Sequence, residues 1–306
     1  MQCDLRKVAI IGGGHVGITA AYALLLTHTV DELILVSRSL EKLEGEKLDL
    51  EHGLSFLEAT KVTATTDYAA LQDADVVIIT SGVAQKPGQS RLDLVEENKA
   101  ILADMAQQIL PYVQRSVVVV VSNPVDVLTF HLAKALGLPE GRVFGTGTML
   151  DTARFRFHLS EFLHLNPRSI HAYILGEHGE SAFPALDAAS VGGQPLAEFP
   201  HYSKDQALQA FTQTREAAAS IIKAKGATYY AIGVVISQLV RTILLDQCSV
   251  LPVSIPIENY YGESQVAVSV PCIVGRNGVQ QILRVNLSSE EKEQFKKSCG
   301  IVRSYI

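Results

Sequence analysis

Short apolar runs punctuate the first half of the chain: Val8 to Ile11, Leu33 to Val36, Val76 to Thr80 and Val117 to Val121, each bounded by Gly, Ser, Asp or Asn. Amphipathic stretches with helical spacing lie between them. Runs this short and this apolar suit strands buried on both faces, and their alternation with helices predicts βαβ units in a doubly wound parallel sheet. Ligands of such sheets bind beyond the carboxyl ends of the strands. Gly12 to Gly17, Ser37 to Ser39, Thr80 to Gly88 and Ser122 to Pro124 occupy those ends.

The pattern changes after Gly145. Leu150 to Leu163 carries apolar residues at helical spacing, Ser169 to Leu175 reads as a strand, and Gln206 to Leu245 reads as mostly helical. Val253 to Ile257, Val266 to Val274 and Gln280 to Leu287 suggest an antiparallel meander. A last helix is expected from Ser288, whose hydroxyl can form a capping box with Glu291. Residues 1–145 and 146–306 are therefore expected to form two units, the second of mixed α+β type. A length of 306 residues agrees with about two domains.

Composition narrows the function classes. No unbroken apolar run approaches the roughly 18 residues of a membrane span, and no signal-peptide pattern precedes the first strand, so a cytoplasmic protein is expected. A net charge of -6 without basic blocks gives no footprint for nucleic acid. Cys3, Cys248, Cys272 and Cys299 are scattered and no H-E-x-x-H occurs among the nine histidines. Neither a disulfide framework nor a metal site is expected, and all four cysteines read as buried, reduced thiols.

The chemistry begins at the first strand end, where Gly12-Gly13-Gly14-His15-Val16-Gly17 sits between a strand and an Ala-rich helix. In this G-x-G-x-x-G order Gly12 permits the turn, Gly14 lets a pyrophosphate approach the backbone, and Gly17 lets helix and strand pack closely. The first unit thus reads as a Rossmann-type dinucleotide-binding domain. At the second strand end the ribose-binding carboxylate of an NAD site is replaced by Ser37-Arg38-Ser39. Two hydroxyls and a guanidinium can hold a 2′-phosphate, so NAD and NADP are both expected as cofactors.

In the second unit, Ile170 to Ser181 runs apolar and then breaks into Gly176-Glu177-His178-Gly179. A strand end delivers one imidazole into a cleft, where it can take and return a proton. Asp151 and Arg154 are three apart on the predicted helix, so both can project from one face.

Four motifs in order, Gln85-Lys86-Pro87-Gly88-Gln89-Ser90-Arg91-Leu92-Asp93-Leu94, Ser122-Asn123-Pro124-Val125-Asp126, Leu150-Asp151-Thr152-Ala153-Arg154 and Gly176-Glu177-His178-Gly179, resemble the L-lactate/malate dehydrogenase family over nearly the whole chain, and within it the bacterial L-lactate dehydrogenases. The resemblance implies hydride transfer between a nicotinamide and a 2-hydroxy or 2-keto acid. It makes His178 the proton donor and acceptor, Asp151 its orienting carboxylate, and Arg154 the clamp on the substrate carboxylate. Arg91 matches an arginine on a loop that closes over substrate and polarises the ketone, Asn123 a residue near the reacting centre and nicotinamide, and Thr228 a wall of the substrate pocket. Ser81 and Gly82 join Gly12, Gly14, His15, Val16 and Gly17 as positions expected to line the cofactor site.

Gln85 separates substrates within the family. An arginine at this position pairs with the second carboxylate of oxaloacetate, which would face Gln85 without a countercharge; pyruvate avoids that cost. Arg156 and His171 match the phosphate-binding residues of family members activated by fructose 1,6-bisphosphate at a subunit interface, and a homotetramer is implied. The rivals are a malate or other 2-keto-acid dehydrogenase, disfavoured by Gln85, and a non-catalytic nucleotide-binding redox sensor, which would not need His178, Asp151, Arg154 and Arg91. A short-chain dehydrogenase would need Y-x-x-x-K, and no tyrosine here is followed four residues later by lysine.

Overall fold

Strands buried on both faces explain the apolar runs. The computed structural model describes residues 5–83 and 91–306, without the side chains of residues 91–93. Six parallel strands, β1 (Lys7–Ile11), β2 (Glu32–Val36), β3 (Lys61–Thr65), β4 (Val76–Ile79), β5 (Val117–Val120) and β6 (Val143–Gly145), alternate with α1 (His15–Leu26), α2 (Leu40–His52), α3 (Arg91–Ile109) and α4 (Val125–Leu136). The sequence pattern does not signal β3 and β6. The first is an edge strand with only Val62 buried, and the second has three residues, too few for a periodicity to show.

Successive side chains of a strand point to opposite faces. Val8, Ile10, Leu33, Leu35, Ile78 and Val119 thus pack in one layer with Leu24 of α1, while Ala9, Ile11, Ile34, Val36, Ile79 and Val120 pack in the other with Met105 of α3 and Leu132 of α4.

The second half contains α5 (Met149–Leu163), the short strands β7 (Ile170–His171), β8 (Ile174–Leu175), β9 (Phe183–Pro184), β10 (Ser190–Val191) and β11 (Gln194–Pro195), then α6 (Lys204–Lys225) and α7 (Tyr230–Leu244). It ends with β12 (Ser249–Ile257), β13 (Val266–Gly275), β14 (Gly278–Ile282) and α8 (Ser289–Arg303). The expected meander is present, but its third strand stops at Ile282 rather than Leu287. The strand expected over Ser169 to Leu175 is divided: β7 joins a small sheet ordered β11-β10-β7, and β8 pairs with β9. Ser288 caps α8 in a capping box with Glu291.

The meander continues the nucleotide sheet. Ser254 of β12 pairs antiparallel with Gly145 of β6, giving a nine-stranded order β14-β13-β12-β6-β5-β4-β1-β2-β3. Cys272 and Cys299 are buried, and burial pushes both thiols up to about 12. Cys248 departs from expectation in being exposed, because it lies at a turn before β12, and Cys3 lies outside the described residues. Among the described residues no helix is long and apolar enough to cross a membrane, and no group of His, Cys, Asp and Glu could hold a metal ion.

The three motif glycines differ in what surrounds them. A Cβ on Gly12, whose φ is +130°, would lie 2.3 Å from Thr80 Oγ1, and one on Gly17 would lie 2.0 Å from the Gly12 carbonyl oxygen. A Cβ on Gly14 would meet nothing within 4 Å. Two glycines are therefore demanded by packing and the third leaves an open cradle at the start of α1. Gly17→Ala should destabilise the ligand-free protein by about 1 to 3 kcal/mol through overpacking, whereas Gly14→Ala should leave its melting temperature nearly unchanged and reduce the rise produced by added NADH. Thermal melts with and without NADH check both; an equal loss of ligand-free stability in the two variants would refute the distinction.

Candidate active site

The site begins with one face of α5. Thr148, Asp151 and Thr152 are spaced three and four apart, so they share a face. Thr148 Oγ1 donates to the Ile174 carbonyl at 2.5 Å, and the Ile174 N–H donates to Thr152 Oγ1 at 2.9 Å. These bonds lash α5 to β8. Asp151, between them, is thereby presented to the residues that follow β8.

Gly176, with φ of +89°, turns the chain there, and its backbone exchanges hydrogen bonds with Ser269 of β13 at 3.0 and 2.8 Å. His178 follows, with its Nδ1 at 2.6 Å from Asp151 Oδ2. This contact fixes the ring and leaves Nε2 for a reacting group. Burial works against a charged imidazole, but the Asp151 carboxylate more than offsets it and His178 is pushed up to about 9. Asp151 is held below the ordinary carboxylate range: burial opposes ionisation, and the charges and hydrogen bonds of His178 and Arg154 outweigh it.

Arg154 completes the cluster. Its Nη1 lies 3.4 Å from Asp151 Oδ1, and its Nη2 is buried with no hydrogen-bond partner among the described residues. A buried guanidinium N–H left unpaired is costly unless an acceptor arrives. A carboxylate is such an acceptor, and it would sit beside an imidazolium.

The other expected positions fall around the carboxyl ends of the parallel strands. Ser81 Oγ donates to the Ile11 carbonyl at 3.0 Å, tying the β4 end to the glycine turn. Asn123 Oδ1 accepts from the Val125 N–H at 3.3 Å, and its carbonyl accepts from Asn98 Nδ2 at 3.0 Å. Gly82 also faces Asn98, since a Cβ there would lie 3.1 Å from Asn98 Oδ1. Ser37 gives its N–H to the Thr65 carbonyl, and Ser39 precedes α2 without a side-chain capping bond. Arg38 is exposed.

Val16, half-buried in α1, packs against the core, and His15 before it stacks on Tyr229 with centroids 5.1 Å apart. Tyr229 follows Thr228 in the α6–α7 connection, so the expected substrate wall and the glycine turn are brought together. Arg156 Nε donates to the Ala172 carbonyl at 2.9 Å and its guanidinium lies over the Tyr173 ring, beside β7 with its exposed His171. Gln85 and the side chain of Arg91 lie outside the described residues.

Sequence reasoning passed over the supports. Asn98 is buried and bonds the backbone of both Val83 and Asn123. Asp126 is buried and accepts the His178 N–H, and Ser298 Oγ accepts the Glu177 N–H at 2.6 Å. The spacing of Thr148 and Thr152 was a legible signal. The partners of Asn98, Asp126 and Ser298 are distant in sequence and gave none.

This geometry fits a nucleotide-dependent dehydrogenase site: an open glycine cradle, a carboxylate-held imidazole and an arginine whose buried Nη2 has no hydrogen-bond partner among the described residues. The model described as "lactate/malate dehydrogenase, NAD binding domain" matches residues 6–145, and "lactate/malate dehydrogenase, alpha/beta C-terminal domain" matches residues 148–306. The chain belongs to the lactate/malate dehydrogenase family. It is 40% identical to an L-lactate dehydrogenase of Thermoanaerobacter sp. (strain X514), over 99% of this chain and 98% of that one. It is 42% identical to that of Priestia megaterium, over 97% and 95%. Its fold superimposes with a TM-score of 0.95 on a minor L-lactate dehydrogenase from Enterococcus mundtii, at 40% identity and covering 98% and 97% of the two chains. The resemblance to bacterial L-lactate dehydrogenases drawn from the motifs therefore stands.

The electrostatics of the pair are testable without substrate. His178 should titrate near 9 by histidine NMR, and Asp151→Asn should lower that value by on the order of 1 to 3 units, since the nearest opposite charge is lost. An unchanged titration would mean that Asp151 does not set the ionisation.

Proposed function

We propose that the chain is an L-lactate dehydrogenase interconverting pyruvate and (S)-lactate. The observation that carries this is the pairing of His178, cationic at neutral pH and fixed through Nδ1, with Arg154, whose buried Nη2 awaits an acceptor. Arg154 receives the substrate carboxylate. His178 donates its Nε2 proton to the ketone oxygen of pyruvate as the carbonyl carbon gains a hydride, and takes the hydroxyl proton back in the reverse direction. The nicotinamide, when bound, supplies or accepts that hydride. Asp151 stabilises the imidazolium throughout, and Arg91 polarises the ketone.

The open Gly14 cradle at the amino end of α1 fits a pyrophosphate, and the matched NAD-binding domain supports NAD(H) as the cofactor. The exposed Arg38 between two serines supports tolerance of NADP(H). Asn123, Ser81, Gly82 and Thr228 line the cofactor and substrate positions in this reading. Arg156 and His171 form a fructose 1,6-bisphosphate site across a subunit interface; Arg156 lies on the helix of Asp151 and Arg154 and His171 on β7, which supports a route from effector to catalytic set. Exposed apolar side chains, Phe56 at 90% exposure together with Leu48, Phe157 and Val234, support a homo-oligomer, in our reading a tetramer.

Initial rates with pyruvate and oxaloacetate, each with NADH and NADPH and with and without fructose 1,6-bisphosphate, test the reading. Pyruvate should be preferred, NADPH should be used measurably, and the bisphosphate should lower the pyruvate KM. Pyruvate reduction needs the imidazolium, so its rate should fall as pH rises through about 9, while lactate oxidation should rise over the same range. His178→Asn should abolish turnover while retaining nucleotide binding. Preference for oxaloacetate would replace the lactate reading with the malate one.

Gln85→Arg should shift preference toward oxaloacetate, by at most about 2 to 5 kcal/mol in the ratio of specificity constants, the range for a buried charge that gains its partner. An unchanged ratio would remove Gln85 from substrate selection.

A further inference from the structure

His178 is held from two directions, and only one of them belongs to the ring. Its backbone N–H donates to Asp126 Oδ2 at 2.7 Å, and the other oxygen of that carboxylate accepts from Ser254 Oγ at 2.6 Å. Asp126 lies in the first turn of α4 and is 2% exposed; Ser254 lies on β12 and is fully buried. This buried carboxylate takes two hydrogen bonds from neutral donors, and among the described residues no cation forms an ion pair with it. Burial raises Asp126 to about 6, which leaves it mostly ionised at neutral pH.

We propose that Asp126 is a second positioning residue for proton transfer: anchored by Ser254, it fixes the His178 backbone and supplies a negative charge that favours the cationic imidazole.

The proposal rests on His178 as the acid and base of the reaction. The charged and titratable groups around the pair can be named from each element packed there. From α5 come Asp151 and Arg154, the first favouring and the second opposing the imidazolium. From the segment after β8 comes Glu177, which opposes a charge on Asp126 and is itself bonded by Ser181. From α8 comes Cys299, with Tyr305 just beyond the helix lining the small cavity that Asp126, Glu177 and His178 share. Asp126 is among the groups that raise His178, acting in the same direction as Asp151.

Asp126→Asn isolates the charge. The amide oxygen can accept from the His178 N–H, and the amide nitrogen can donate to Ser254 once its hydroxyl turns, so shape and hydrogen bonding are kept while the charge is lost. His178 should then titrate lower by on the order of one unit in the cofactor-free protein, read by histidine NMR. The pH at which pyruvate reduction falls should move down equally, with little change in pyruvate KM. A purely structural Asp126 would instead lower melting temperature and kcat at every pH without moving the profile, and that result overturns the proposal.

Ser254→Ala gives an independent arm should the first variant fail to fold. Losing a donor to the ionised carboxylate makes Asp126 protonate at higher pH, so the small inflection that Asp126 imposes on the His178 resonances near 6 should move upward; His178 resonances without such an inflection in either protein overturn the proposal. The underlying reading is tested separately by His178→Asn. If that variant is inactive and Asp126→Asn has a wild-type titration, only the role of Asp126 is lost; if His178→Asn turns over normally, the reading beneath it fails.

Discussion

The antiparallel join of β12 to β6 is the constraint on which the candidate active site depends. Gly145 and Ser254 pair at that join, and a Cβ on Gly145 would lie 2.4 Å from Thr129 Oγ1 of α4, so a glycine is what allows α4 to lie this close to the sheet. Ser254 then reaches Asp126 in the first turn of that helix. One strand further on, Ser269 accepts the Thr148 N–H at 3.0 Å and its backbone pairs with Gly176. The meander thus forms a shelf to which α4, α5 and the end of β8 are each bonded.

A shelf of this kind suits acid and base chemistry. Proton transfer requires the imidazole and its orienting carboxylate to stay within hydrogen-bond reach, and a rigid buried sheet holds them better than loops do. The pair proposed to move the proton comes from two elements, with 27 positions between Asp151 and His178. The Thr148 and Thr152 bonds to Ile174 fix the spacing of helix and strand, and the Gly176 bridge fixes the exit direction of the chain. The nucleotide side is organised separately, by the packing of Gly12 and Gly17 against Thr80 and each other. The two sides meet where Tyr229 stacks on His15.

Electrostatically the site is a balance of opposite charges in a poorly solvated place. Burial alone would keep His178 neutral and would leave Asp126 protonated near neutrality. Asp151, with Asp126 behind it, reverses the first outcome, and hydrogen bonds from Ser254 and the His178 backbone moderate the second. Arg154 offsets part of the negative charge through its contact with Asp151 and keeps one donor in reserve. In the proposed reading the result is a cluster with a proton to give and a place for an anion.

The sequence by itself determined the parallel sheet, since runs such as Val117 to Val121 can be satisfied only by burial on both faces, and it located the nucleotide turn, since Gly12 and Gly17 admit no side chain. It also showed His178 at a strand end and Asp151 with Arg154 as an i, i+3 helix pair, both local patterns, and the family resemblance joined the three into one set. The edge strand β3 escaped, having one buried residue and no run to show. So did the early end of β14 and the exposure of Cys248, both settled at turns by neighbours far along the chain. Only the tertiary structure decided that the meander extends the nucleotide sheet, because the Gly145–Ser254 pair spans more than a hundred residues. The same holds for Asp126, Asn98 and Ser298: a polar side chain reads as solvated until its distant partners are in place, and hydrogen bonds over such separations leave no periodicity in the sequence.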